Sequence, residues 1–469
     1  MIGITERNTF ARVALALALT ASAIAVRADE QKEQTAWPDP SPLGRDIPIQ
    51  RGQTSSESPG GQEPAQREAA GPLTLREALA LAARLNPGLA ASAHDVLAAE
   101  GNARQAGVLP NPELEIEAED FGGTDARKGY DGATTTAGIS QQLELGGKRS
   151  KRQSVARAEA RLTGWDYEAA RLDVLTRTKQ AFVDVLAAQG QLALAEASLM
   201  LAEDVRKSAA ERVKSGKVPE LEETKAAVEV SSAGIARDRA KRELDVARKL
   251  LVSNWGGSTP RFANVVGSLD VDGGAASPDA LAASVERSPE VARWIDARLA
   301  AAELLSLAKA QRIPDIAVKV GVSRFEEDGT HAAVAAVSLP LPLFDRNAGG
   351  IVAAQHAVAA AEQKERAARL LAATSLAEIR GRLDTTRLEA MAIRDGLLPA
   401  AQKAFDAAQT GYREGKFGHL EVLDAQRTLN EAKARYLEVL AAYHKAAADV
   451  ERLTGIPLNT IQQEQNKED

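Results

Sequence analysis

The chain has 469 residues, no cysteine and a formal net charge of -7. The missing thiols exclude disulfide staples, Cys-ligated zinc or iron-sulfur sites and a lipid anchor on an N-terminal cysteine, and the acidic balance argues against nucleic acid as a partner, which demands a basic face. Hydrophobic residues make up 44% of the chain but aromatics only 4%, so thin, closely packed helices suit it better than a thick core.

Residues 1–28 read as a signal peptide: Arg7 and Arg12 precede the apolar run Val13 to Val26, which is too short to span a bilayer as a helix. Residues 29–72 are rich in Pro, Gly, Ser, Gln and charge. They read as a disordered leader, because so little apolar surface cannot offset the entropy of ordering. Periodic structure starts at Leu73, where Thr74 and Glu77 form a capping-box pattern ahead of Ala78, Leu79, Leu81 and Ala82.

From there, two halves of about 200 residues present the same order of signals. Asn86-Pro87 recurs as Ser288-Pro289, Leu109-Pro110 as Ile313-Pro314, Ile139-Ser140 as Val337-Ser338, and Gly216-Lys217 as Gly415-Lys416. These spacings predict a first structural repeat at 73–260, a linker at 261–276, a second repeat at 277–455 and a C-terminal tail at 456–469. Each repeat reads as short helix, helix, two strands, very long helix, tight turn and long helix.

The strands fall at about 111–121 and 133–145, and again at about 314–325 and 331–343. In the first, Glu113, Glu115, Glu117 and Glu119 alternate with Leu114, Ile116 and Ala118; in the third, Ile316, Val318, Val320 and Val322 alternate with Ala317, Lys319, Gly321 and Ser323. Period-two alternation over about ten residues is the pattern of a tilted membrane strand. Four strands cannot close a sheet, and hydrocarbon does not tolerate open edges, so several chains would have to share one barrel.

A very long helical stretch follows each strand pair, Lys148 to Lys214 and Ala348 to Arg413, each read as one continuous helix of about 100 Å. The helices after them carry heptads, with Val422, Leu429, Tyr436, Tyr443 and Val450 beside Ala425, Ala432, Val439, Ala446 and Leu453. Residues Leu221, Val228 and Ile235 form a second seam on an adjoining face. In the first repeat the helices at 89–108 and 219–253, about 55 residues against roughly 67, could run end to end beside the long one, and residues 255–290 with the C-terminal tail would form a belt level with the break.

Leu109-Pro110-Asn111-Pro112-Glu113-Leu114 and the run Ser140 to Arg149, SQQLELGGKR, together with the duplicated order of elements, resemble the outer-membrane factor (TolC-like) family. The two motifs are similar to those of its cobalt-zinc-cadmium (CzcC-like) heavy-metal efflux branch. The resemblance implies a homotrimer, mainly α with a transmembrane β-barrel: twelve strands in the outer membrane and a coiled-coil helical tunnel in the periplasm. It also implies a periplasmic adaptor and an inner-membrane, proton-driven resistance-nodulation-division pump as partners, a location in outer-membrane lipid without a lipid anchor, and passive export of divalent cobalt, zinc, cadmium or nickel.

By the same resemblance, the two hairpin tips, at about 214–219 and 413–419, touch the adaptor through Val213, Lys214, Gly216, Lys217, Tyr412, Arg413, Gly415 and Lys416. Glu421, Asp424 and Glu222 would form acid rings at the constriction. First-turn acids also complement a helix dipole, so capping is the plainer reading of the same residues. A duct for organic toxicants or peptides is the alternative within the fold; a soluble periplasmic coiled-coil adaptor or scaffold is the alternative outside it. An enzyme, a cofactor and a resident metal are not expected: the five histidines are scattered, and Gly146-Gly147-Lys148-Arg149 lacks the upstream glycine and the Ser/Thr of a phosphate loop.

Overall fold

A computed structural model describes residues 71–271 and 278–456. The expected signal peptide, all but the last residues of the leader, the end of the linker and nearly all of the tail lie outside the described residues.

Chain order begins with β1 (Leu73–Thr74) and α1 (Leu75–Leu85). The capping box is formed: the Thr74 hydroxyl accepts from the Glu77 N–H at 3.3 Å and the Glu77 carboxylate accepts from the Thr74 N–H at 2.9 Å. Helix α2 (Pro87–Gln105) follows, capped by Asn86, whose side chain accepts from the Leu89 N–H at 2.8 Å. Proline sits at its start because its fixed φ and absent donor cost nothing there. Strands β2 (Glu113–Glu119) and β3 (Thr134–Leu143) lead into α3 (Lys148–Lys214), and a tight turn leads to α4 (Glu220–Ser253).

The two-residue strand β4 (Val265–Val266) pairs parallel with β1. Helices α5 (Pro278–Glu286) and α6 (Pro289–Ala310), strands β5 (Ile316–Phe325) and β6 (His331–Ser338), then α7 (Ala348–Ala392), α8 (Leu398–Arg413) and α9 (His419–Thr454) repeat the order of the first half. Asn86-Pro87 and Ser288-Pro289 open equivalent helices, as their spacing predicts.

Two expectations need correction. The second long stretch is not one helix: a π turn at Ile393–Leu397 separates α7 from α8. The cause is Pro399, which lacks an N–H and crowds the carbonyl four residues earlier. Strand β6 stops at Ser338 rather than near 343, because Pro340 and Pro342 cannot donate to a ladder. Within the linker, β4 pairs with β1, and Leu269 and Val271 pack against Ala390, Ile393, Val439 and Leu440.

Helix α3 packs along α2, α4, α6 and α9, while α7 packs along α6 and α9. Two shorter helices therefore run beside each long one, as the lengths in the first repeat predict. Buried alanines Ala226, Ala240, Ala247, Ala432 and Ala446 set close seams, and Gly190 lets α3 approach α9, where an added Cβ would lie 3.0 Å from Leu437. The duplication extends to the core. Leu73, Phe182, Leu244, Leu251 and Trp255 form one cluster, and Leu281, Val291, Leu376, Leu383, Val450 and Leu453 form its counterpart in the second half.

The large sheet is antiparallel throughout, in the order β2-β3-β5-β6, so the two hairpins meet at β3 and β5. Its ends, β2 and β6, are open edges within this chain.

Candidate functional site

Successive strand residues point to opposite sides of a sheet, which gives this one two chemically distinct faces. Glu113, Glu115 and Glu117 on β2 share a face with Thr136, Gly138 and Ser140 on β3 and with Lys319, Gly321 and Ser323 on β5. There the Lys319 ammonium crosses β3 to reach Glu115 at 2.6 Å and Glu117 at 3.5 Å. Gly138 leaves it room, since a Cβ there would stand 3.3 Å from the Lys319 Cε. Beside it the Thr136 and Ser323 hydroxyls share a buried hydrogen bond of 2.6 Å. The opposite face carries Leu114, Ile116, Ile139, Val320 and Val337, all exposed, Leu114 and Ile116 at 72% and 71%. Water does not favour so continuous an apolar surface.

The two hairpin tips are built alike. In the first, the Lys217 N–H donates to the Arg212 carbonyl and the Gly216 N–H to that of Val213, both at 2.9 Å. In the second, the Lys416 N–H donates to the Gly411 carbonyl at 2.8 Å and the Gly415 N–H to that of Tyr412 at 3.1 Å. Each pair is a Schellman cap, whose left-handed residue is Gly216 at φ 66° and Gly415 at φ 75°. Val213 and Tyr412 are half-buried; Lys214, Gly216, Lys217, Arg413, Gly415 and Lys416 are exposed.

The tips also touch each other. The Arg212 guanidinium lies 4.8 Å from the centre of the Tyr412 ring, a cation–π contact. Between the tips runs a groove of about 300 Å³ lined by Arg212, Val218, Pro219, Glu222, Lys225, Tyr412, Phe417 and Leu420, among others. Gly411 admits Phe417 against the end of α8: a Cβ at that glycine would collide with the ring. Arg212 and Phe417 fall within the tip segments 212–217 and 412–418 that the sequence marks out, though not among the individual contacts named there. The available signal is positional, because the duplication sets Phe417 opposite Val218, one residue beyond each cap.

The structure separates the three candidate constriction acids. Glu222 lines the groove and pairs with Lys225 at 3.3 Å. Glu421 and Asp424 are exposed and do not line the groove themselves, although Gly418, Leu420 and Leu423 beside them do. Glu421 and Glu222 occupy the same place in their helices, the first turn after each tip. A Cβ at Gly418 would come 2.9 Å from a Glu421 carboxylate oxygen, so that side chain folds back over the helix start. Among the described residues no three His, Asp or Glu side chains converge as a metal ligand set.

The sequence profile of a family described as outer membrane efflux protein matches residues 78–257 and 281–456. The chain is 38% identical to the cobalt-zinc-cadmium resistance protein CzcC of Cupriavidus metallidurans over 83% of its own length and 91% of that protein. It is 29% identical to the nickel-cobalt-cadmium resistance protein NccC of Alcaligenes xylosoxydans xylosoxydans over 68% of its length and 67% of that protein. Its fold matches the open state of the MtrE outer membrane channel of Neisseria gonorrhoeae with a TM-score of 0.69 at 18% identity, covering 82% of this chain and 89% of that one.

Proposed function

The chain belongs to the outer membrane efflux protein family, whose members are channels rather than enzymes, and from that premise we propose that it is the passive outer-membrane duct of a tripartite pump for divalent heavy-metal cations. Three copies share one twelve-stranded barrel and a helical tunnel, and cargo reaches them from a proton-driven resistance-nodulation-division pump through a periplasmic adaptor. The observation that carries this reading is the two-faced open sheet: an exposed apolar face suits lipid, an acidic face suits a water-filled lumen, and unpaired edges must be closed by further strands.

The cargo class is supported by relatives whose names state cobalt, zinc, cadmium or nickel resistance. The groove between the tips is the adaptor contact, with Val213, Lys214, Gly216, Lys217, Tyr412, Arg413, Gly415 and Lys416 around it, and Glu421 and Asp424 form the constriction. The test has two parts. The protein should fractionate with the outer membrane as a heat-resistant, detergent-requiring oligomer; a freely soluble monomer overturns the duct. Deleting the gene should lower tolerance to cobalt, nickel, zinc or cadmium, and unchanged tolerance to all four removes the metal assignment.

A further inference from the structure

Charge is spread unevenly over the polar face of the large sheet. Glu113, Glu115, Glu117 and Glu119 stand on β2, and the residues opposite them on β3 are Ser140, Gly138, Thr136 and Thr134. Among the strand residues that the register brings to this face, Lys319 on β5 is the only cation. Its row runs through Ser140 to Glu113, yet its ammonium leans along the sheet to Glu115 and Glu117. Gly138 clears that path, because a Cβ there would stand 3.3 Å from the Lys319 Cε. One oxygen of each carboxylate therefore lies within 3.5 Å of a single point, the Lys319 nitrogen. Glutamates converging on one point are also what a divalent cation takes from oxygen donors. Holding the sheet together is a weak account of the lysine, since an ion pair open to water adds little stability.

Resting on the reading of this face as the lumen of an export duct, we propose that Lys319 determines how the duct treats divalent cargo: its ammonium is a tethered cation that fills the point between Glu115 and Glu117 and keeps a passing metal ion from lodging there. Conduction requires a wall that attracts an ion enough to admit it and binds it weakly enough to release it. Glu113 and Glu119 flank the filled pair and add negative charge that draws cations in. An ammonium suits this task chemically. It is a compact charge on a flexible four-carbon stem, and while charged it has donors but no lone pair. It can therefore occupy two carboxylates, and move aside, without becoming a metal ligand itself. A neutral side chain at this position would leave the pair open.

The test reads the block of a potassium current by zinc chloride in planar bilayers holding the purified full-length protein. Every chain carries Glu421→Ala with Asp424→Ala, so that acids after the hairpin tip contribute nothing to the block. Lys319→Gln should lower the zinc concentration for half-block by about tenfold or more, the factor expected when a competing charge is removed from the same carboxylates at close range. Adding Glu115→Gln and Glu117→Gln to that variant should restore the parent's sensitivity, and Lys319→Arg should keep it throughout. An unchanged midpoint in Lys319→Gln overturns the proposal, as does a tightened block that survives loss of both glutamates. A lysine that only braced the strands would lower the heat resistance of the oligomer and leave the midpoint where it was. Glu115→Gln with Glu117→Gln alone keeps the question decidable if Lys319→Gln does not assemble. It releases the ammonium into the lumen, so the reversal potential in a potassium chloride gradient should move toward anions, and a fixed potential overturns the proposal. A parent that conducts no current overturns the duct itself, a result read before any variant is compared.

Discussion

Asp315 stands one residue before β5, yet it fixes the turn that leaves β3. It accepts from the Leu145 N–H at 3.0 Å, the Lys148 ammonium at 2.8 Å and the Gln142 carboxamide at 3.2 Å. Burial alone would push its pKa up; the Lys148, Leu145 and Gln142 donors outweigh that and hold it below the ordinary value. A depressed carboxylate pKa adds stability above the unfolded pKa, near 3.9, and that stability is lost as pH falls through the folded value. Asp315→Asn should therefore cost about 1–3 kcal/mol at neutral pH, with the deficit against wild type shrinking below about pH 4. Melting followed by circular dichroism between pH 7 and pH 3 checks this, and a constant deficit would remove the charge from the explanation. The Thr74–Glu77 box was legible in the sequence because both partners lie in one turn. The Asp315 clasp was not, since Lys148 lies 167 residues away. Glu421 and Asp424 stand between these cases: their position after the tip was legible, their role was not. If they form the constriction, Glu421→Ala with Asp424→Ala should raise single-channel conductance and weaken cation preference in planar bilayers. Unaltered currents would leave Glu421 as a first-turn acid that favours the helix dipole and Asp424 as an exposed acid one turn on.

The hairpin tips and the long helices were legible for a physical reason that works at this scale. A Schellman cap needs a left-handed residue, and Gly216 and Gly415 supply it locally. The heptads needed only spacing, and Val422, Leu429, Val439 and Val450 are buried where they predict. Pro399 is as local a signal, but its consequence depends on the neighbouring helix: α9 holds α7 and α8 in one line, so the chain widens into a π turn instead of stopping. A π turn accommodates one residue more than a regular turn. Deletion of Gly396, inside that turn, should convert it to regular helix and keep the seams of α7 and α8 in phase. Deletion of Ala377, in regular helix, should rotate every seam residue on one side by about 100° and pull Leu376, Ile379 and Leu383 out of register. The expected outcome is a folded oligomer for the first deletion, within a few degrees of wild type in melting, and no oligomer for the second. Equal damage from both would show that the π turn is held by its own contacts and not by the extra residue.

At the scale of the whole molecule, the seams that find no partner in one chain carry the remaining information. Leu221, Val228 and Ile235 read as a seam in the sequence, yet they are 59%, 65% and 70% exposed, while the other seam of the same helix, Ala226, Ala240, Leu244 and Leu251, is buried. Farther along α4, Val246 and Leu250 line an open groove of about 400 Å³. Helix periodicity shows that a face is apolar, but it cannot tell a neighbour in the same chain from one in a copy, and that is why the intrachain packing was legible while the assembly remains a proposal. If the face is covered by a second copy, each of its large side chains contributes about 1.5–3 kcal/mol on burial, so Val228→Gln with Ile235→Gln should weaken every junction by about 3–6 kcal/mol. The same pair should leave the single chain intact, because neither residue belongs to its core. The measurement is a gel of unheated, detergent-solubilised membranes beside a helix signal from the purified protein: the oligomer band should be lost with helicity kept. An oligomer of undiminished heat resistance would show that this face meets water in the assembly, and that the copies are joined through the sheet and other helices alone.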